Sequence, residues 1–519
     1  MKLLQAVLKK PVYIFFILCA LLGLSIFRDY GFTWDEPLFY KYADALGYAY
    51  NPANWFSGHF DLNLSYGPSA TDHKTRGPAY LLLAREPVYL IEKLNIQTDD
   101  AWHLVNYLAF LLGVYFLFQL CSRLMGSPAA LAASALFLFQ PLLFGHAFIN
   151  PKDPPFLVFL TGSVYLGIGM VDRLADPNAR PWRSSLVTVL LAAFFLGIAT
   201  SIRVLGPLAG VIVFIYFLIH KPNRTNLFWM VLYAVLAALV MFASWPYLWE
   251  NPIHFFQVSQ FMSDNPTGLQ VLFGGQIYRA YDLPLRYLPF YLFFTLTEPV
   301  WPFFLLGLVC AFLKLRTDRA RLSQALLFLA WFAIPFTYDI LRHPPIYDGM
   351  RHFLFILPPI FIFAGFTFEF LFEALQKVWR NALLILVVLS PGFFGIIQLH
   401  PYEYTYYNSF IGGTAGVSRH YETDFWLTCY KQAVLQFDQQ IDSESVRLFV
   451  HREPEVAAPY ASPNISVLDE RGALAQIHSG DYVLVNSRTN EDRKDFPEAP
   501  IVLSVGRVGA TFCVIKKVP

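Results

Sequence analysis

Roughly eleven apolar runs, near residues 11–27, 102–121, 128–145, 155–171, 186–201, 205–220, 226–244, 299–313, 325–339, 353–374 and 382–399, divide this chain. Each is close to the length at which a helix crosses the hydrocarbon core with its backbone hydrogen bonds satisfied internally. With 519 residues, 56% hydrophobic and 18% aromatic, the chain is too apolar for a single soluble core. The pattern predicts a polytopic α-helical membrane protein of about eleven transmembrane helices, with the N-terminus inside and the C-terminus outside.

The orientation follows from the basic residues. Arg123, then Arg173, Arg180 and Arg183, then Lys221 and Arg224, then Lys314, Arg316, Arg319 and Arg321, then Lys377 and Arg380 fall in alternate connections, as the positive-inside rule requires of inner loops. Lys2, Lys9 and Lys10 precede the first run, and the sequence after it, "FRDYGFTWDEP", offers no small-residue cleavage site, so that run reads as a retained signal anchor. The remaining stretches face outward: loops 28–101, 146–154, 245–298 and 340–352, the short link 202–204, and everything from 400 onward. Residues 1–399 are thus expected to form the membrane module.

Within 245–298, "RYLPFYLFFTLTEPVWP" is too short to cross twice and is expected to be interfacial or re-entrant. Residues 400–519 turn polar. "YETDFWLTCYKQAVLQFDQQI" reads as a helix, and "SVRLFV", "ISVLD", "DYVLVN" and "IVLSVGRVGATFCVIKKV" read as β-rich runs, which together predict a small extracytoplasmic α/β domain. Cys429 and Cys513 both fall in that domain and could pair, whereas Cys19, Cys121 and Cys310 lie in or beside apolar runs; the spacing fits no zinc motif. No internal repeat is evident.

The unusual chemistry lies in the outer stretches. "TWDEP" sets Asp35 and Glu36 just past the first run; an interfacial cap is the plain explanation. "HAFINPKDPPF" packs His146, Lys152 and Asp153 between two spans, with Asp153 where a helix N-terminus favours a carboxylate. "RHPPIYDGMRH" brings Tyr347, Asp348, Arg351 and His352 ahead of another helix, and Arg203 stands between two short runs, where snorkelling would explain it. Taken singly, each cluster is explained by structure alone. Their shared side of the membrane is the informative feature.

Acids from some loops and cations from others suit group transfer from an anionic, lipid-held donor. A glycosidase needs a dedicated acid carboxyl to protonate its leaving oxygen beside a second carboxylate. A sugar leaving a phosphate needs instead one base for the acceptor hydroxyl and positive charge for the departing phosphate. Lys152, Arg203, Arg351 and His352 are assigned to that phosphate on charge and sidedness, with His146, Tyr347 and Asp348 as further candidates. Oxygen-rich loops could hold a divalent metal ion, but no spacing demands one and no other cofactor is indicated. With 38 Lys+Arg against 37 Asp+Glu, net charge +1, no general affinity for nucleic acid is expected.

At "WDEP", "NPKDPPF", "YDGMRHFLF" and "HPYEYTYYN", followed by "GG" and "YETDFW", the chain resembles the dolichyl-phosphate-mannose protein mannosyltransferases and their bacterial relatives, including the lipid A aminoarabinose transferases, in the C-type glycosyltransferase superfamily. The resemblance spans roughly residues 10–430. It implies that Asp35 is the general base, Glu36 its neighbour in the acidic motif and Asp153 the second-loop acid. It further implies an inverting, single-displacement glycosyltransferase whose donor is a polyprenyl-phosphate sugar and whose acceptor hydroxyl belongs to a lipid, glycan or protein. A bacterial inner membrane with the site facing the periplasm is the expected location; the endoplasmic reticulum is the alternative. The rival class is a polyprenyl-linked sugar transporter or flippase, which would place ionisable residues near the midplane of its spans rather than in outer loops.

Overall fold

The computed structural model describes residues 11–68, 70–176, 182–220, 224–264, 267–441 and 445–519. Lys2, Lys9, Lys10, Arg180 and Lys221 lie outside them. The longer helices are α1 (Pro11–Ile26), α2 (Glu36–Leu46), α3 (Ala79–Glu92), α4 (Thr98–Ser122), α5 (Ser127–Leu138), α6 (Pro141–Ile149), α7 (Asp153–Ala175), α8 (Trp182–Ile202), α9 (Pro207–Ile219) and α10 (Arg224–Ala243). They continue with α11 (Tyr287–Phe294), α12 (Val300–Leu315), α13 (Arg319–Arg342), α14 (Leu357–Leu375), α15 (Val378–Leu399) and α16 (Cys429–Asp438).

All eleven apolar runs are helical, but they are unequal. Among the described residues, seven helical stretches are long and apolar enough to cross a membrane, and α5 with α6 makes an eighth if that pair is one span. Helices α1, α9 and α12 are shorter, at 10–17 described residues. The run at 128–145 is bent by 66° between α5 and α6. Pro141, at the start of α6, cannot donate the backbone hydrogen bond that would continue α5. Residues 287–294 form one eight-residue helix, α11, too short to cross.

Arg123 pairs with Asp172, Lys314 with Glu369, and the Gly126 N–H donates to Glu369, which gathers the ends of α4, α7, α12 and α14 at one end of the bundle. Asp35, Asp153, Arg203, Asp348 and Arg351 meet at the other. Helix α12 lies so close to α14 that a Cβ on Gly307 would stand 1.9 Å from the Phe363 carbonyl oxygen, the small-residue contact that lets membrane helices approach backbone to backbone.

The C-terminal part holds a five-stranded sheet of β3 (Val446–Val450), β4 (Ile465–Asp469), β5 (Tyr482–Asn486), β6 (Ile501–Arg507) and β7 (Ala510–Lys517) in the order β4-β3-β5-β7-β6; β1 (Gln270–Phe273) and β2 (Gln276–Arg279) form a separate hairpin. Strand β3 runs parallel to β4 and β5, while β7 runs antiparallel to β5 and β6. The expected helix at 421–441 begins only at Cys429, because the Asp424 carboxylate accepts the Thr428 and Cys429 N–H groups and fixes the start there. Tyr430, Ala433, Val434 and Phe437 recur at helical spacing and bury one face of α16 with Leu448, Leu484 and Phe512 of the sheet. Cys429 and Cys513 are joined as a disulfide across that contact, with Cα atoms 6.2 Å apart.

The C-terminal part is tied to the segment after α1 and to the start of α4. Lys431 Nζ donates to the carbonyls of Arg28 and Tyr30, the Tyr460 hydroxyl to Asp99 at 2.8 Å, and the Trp34 N–H to the Trp426 carbonyl. His400, just past α15, adds a charged clamp: Nδ1 lies 2.7 Å from Glu403 and Nε2 2.9 Å from Asp29. Burial works against its charge, but the hydrogen bonds to Glu403 and Asp29 prevail and raise its pKa to about 9. A pKa above the unfolded value of about 6.5 gives stability that is full below that pH and is lost as pH rises through about 9. The gap in thermal midpoint between wild type and His400→Gln should therefore close from about pH 6 to about pH 10. A constant gap would show that the imidazolium is not the source.

Candidate active site

Asp35 and Glu36 stand at the head of α2 and point apart, since neighbouring helical side chains diverge by about 100°. Glu36 is fully buried and committed: it accepts from the Thr33 N–H and the Tyr40 hydroxyl, and His103 Nε2 lies at 3.2 Å. Asp35, at the N-cap position, makes no capping hydrogen bond, and its side chain remains 27% exposed. Of the pair, it is the carboxylate open to a reactant. Its nearest cation is Arg351, with Nη1 3.9 Å away.

Asp153 opens α7 but does not cap it either. Asn150 takes that role, its Oδ1 accepting the N–H groups of Lys152 and Asp153. The buried Asp153 carboxylate bonds to Arg203 through Oδ1, and Oδ2 receives Asn150 Nδ2 at 2.9 Å and Arg351 Nη1 at 3.3 Å. Both oxygens are therefore engaged by donors, which leaves them unsuited to share a divalent ion with Asp35. Among the described residues, a metal-like grouping occurs only at His451, Glu470 and Asp495, in the sheet domain.

The "RHPPIYDGMRH" loop turns through Asp348 (φ 57°) and Gly349 (φ 65°), which folds Asp348 back under Arg351. Arg351 Nε and Nη2 reach Asp348 Oδ2 at 3.1 and 3.0 Å, and its guanidinium lies over Tyr347 at 5.0 Å and Trp426 at 5.3 Å. Tyr347 meets His352 edge-on at 4.8 Å. Asp348, Arg351, Asp153 and Arg203 thus form a ladder of alternating charge, with Asp35 at its open edge.

Lys152 leans over the Phe39 ring at 5.9 Å. Burial, then the nearby charges of Arg76, Arg203 and Arg351, push its ammonium well below the usual lysine range, with Asp35 opposing. An anion placed among these groups would relieve that repulsion. His146 is set back, with Nδ1 3.5 Å from Asn150 Nδ2, and contributes to a buried cavity with Tyr291, Asp348 and Glu422 instead of the cleft.

The family model for dolichyl-phosphate-mannose-protein mannosyltransferases matches residues 88–249, from α3 through α10. In three dimensions the chain is similar to ArnT from Cupriavidus metallidurans in the apo state, at 14% identity over 98% of both chains with a TM-score of 0.50. The likeness is one of overall fold. ArnT from the same organism bound to undecaprenyl phosphate is similar at 12% identity over 97% of both chains, TM-score 0.50. The Archaeoglobus fulgidus oligosaccharyltransferase in the apo form is similar at 9% identity over 91% of this chain and 69% of that one, TM-score 0.50. Comparison with curated protein sequences returns no significant match.

Three residues were not anticipated at the site. Arg76 joins the cations because a Cβ on Gly77 would fall 1.3 Å from the Ser201 carbonyl oxygen; without one, the segment presses against the end of α8. Glu422 and Arg488 enter from the C-terminal part, with Arg488 Nη2 2.6 Å from Asp348 Oδ1. No pattern in "NSRTN" marks Arg488: a polar segment after a strand reads as surface.

Proposed function

We propose that the protein transfers a sugar from a polyprenyl-phosphate donor to an acceptor hydroxyl in one inverting displacement. The observation that carries this reading is one uncommitted carboxylate, Asp35, beside the basic side chains of Arg351, Arg203, Arg76 and Lys152, while the neighbouring acids Asp153 and Asp348 are engaged by arginines. The likeness in fold to a protein solved with undecaprenyl phosphate supports the class of donor.

Asp35 Oδ takes the hydroxyl proton as the acceptor oxygen attacks the anomeric carbon from the face opposite the phosphate. The bond from that carbon to the phosphate oxygen breaks, and its electron pair stays on the polyprenyl phosphate. Arg351, with Lys152, Arg203 and His352 beside it, receives the added negative charge, so no acid carboxyl is required. Asp153 keeps Arg351 and Arg203 extended toward the cleft and does not itself react. Glu36 holds the turn that presents Asp35. We place the site on the periplasmic side of a bacterial inner membrane, in line with the basic connections at the opposite end of the bundle. The acceptor belongs to lipid, glycan or protein, and the sugar to the hexoses or pentoses.

Protein in lipid nanodiscs supplied with radiolabelled polyprenyl-phosphate hexoses and pentoses and with membrane acceptors should transfer one of these sugars and release polyprenyl phosphate. Transfer should persist in EDTA, since Asp153 offers no free oxygen to a metal. Donor that is bound but returned intact for every sugar would favour the carrier reading, and activity abolished by EDTA and restored by a divalent ion would require a different arrangement at Asp35.

A further inference from the structure

One side chain from the sheet domain lies inside the ladder. Arg488 stands two residues beyond β5 and is 1% exposed. Its N–H donates to Asn486 Oδ1 at 2.6 Å and its Nη1 to the Phe425 carbonyl at 2.8 Å, which fix the backbone and one edge of the guanidinium. Nη2 pairs with Asp348 Oδ1 at 2.6 Å, and Nε lies 3.5 Å from Glu422 Oε1. The guanidinium also covers Trp34, the residue before Asp35, at 4.4 Å.

Asp348 therefore serves two arginines, one with each oxygen. Arg488 holds Oδ1, while Arg351 is confined to Oδ2 through Nε and Nη2. Arg351 keeps its Nη1 free to face Asp153 at 3.3 Å and Asp35 at 3.9 Å. Were Oδ1 released, the carboxylate could take Arg351 with both oxygens, a geometry that carboxylates favour with arginine. That pairing would neutralise Arg351 more completely and draw it from the cleft. Glu422 competes little for Arg488, because burial pushes its carboxyl up to about 8 against the pull of that arginine.

We infer that Arg488 is a positioning residue: by occupying Asp348 Oδ1 it keeps the Nη1 edge of Arg351 directed at the place where a lipid phosphate binds. It touches no reacting atom. The inference rests on the reading of the cleft as a polyprenyl-phosphate site, and it makes the sheet domain part of that site.

The test is the dissociation constant of undecaprenyl phosphate for the full chain in nanodiscs, measured without any transfer step. Arg488→Met should weaken binding roughly tenfold to a hundredfold, the scale of coupling within a buried ionic network. Adding Asp348→Asn should recover much of that loss, because a neutral amide cannot capture Arg351; a merely structural role for Arg488 predicts no recovery. Arg488→Lys, which keeps the charge, should lose less and serves if Arg488→Met does not fold. Wild-type affinity in the Met variant, or a double variant no better than Arg488→Met, would overturn the assignment. Full transfer by Asp35→Asn alongside weakened binding by Arg488→Met would instead remove the catalytic reading of Asp35 and leave the positioning role standing. A wild-type protein that does not bind undecaprenyl phosphate overturns both.

Discussion

Asp35→Asn protein should fold normally, bind the lipid phosphate, and transfer sugar about 10²- to 10⁴-fold more slowly than wild type, the usual contribution of a positioned general base. The substitution is nearly isosteric and the side chain is 27% exposed with Arg351 at 3.9 Å, so little folding energy depends on its charge. The neutral amide cannot take a proton from the attacking hydroxyl. Removing one negative charge beside Arg351 should leave donor binding unchanged or slightly tighter, and the loss should fall on kcat and not on KM. The measurement is single-turnover transfer from the donor sugar found active with wild type. Glu36→Gln provides the contrast, because that carboxylate is buried among Thr33, Tyr40 and His103. It should lower the thermal midpoint, leaving a rate deficit smaller than that of Asp35→Asn. The reverse order of effects would exchange the roles of the two acids.

How the acids divide their roles was only half legible in the sequence. Adjacency in "TWDEP" located both on one turn, but which of two neighbouring carboxylates faces inward depends on the direction of the helix relative to the bundle, and that is set by partners such as His103, 67 residues away. Asp153 was legible from the short, proline-bounded "NPKDPPF", although the helix-capping explanation it invited fails because Asn150 accepts those N–H groups. The sheet strands were legible because each alternates or runs apolar between turn residues. The bend after α5 was not, since the apolar run continues through it and only Pro141 interrupts the hydrogen bonding. Arg488 was invisible for a deeper reason: its burial is created by the closure of the sheet domain onto residues 34 and 348, and no local pattern encodes that.

Arg351→Gln should remove donor binding and destabilise the protein together, and the two losses can be separated. Arg351 is 6% exposed and stands between Asp348 and Asp153, so its removal leaves two buried carboxylates each short of one cation. Breaking a buried ion pair from one side costs about 3–5 kcal/mol, but here Arg488 still holds Asp348 and Arg203 still holds Asp153, which should keep the cost toward the lower end. Adding Asp348→Asn removes one of the stranded charges and should restore much of the thermal midpoint. It cannot restore affinity for undecaprenyl phosphate, because the cation that faces the cleft is still missing. Arg351→Lys should fall between the two in stability yet remain poor in binding, since an ammonium cannot reach Asp348, Asp153 and a phosphate at once as the guanidinium fork can. Recovery of both stability and lipid binding in the double variant would mean that Arg351 serves the fold alone, and that the phosphate rests on Lys152, Arg203 and Arg76.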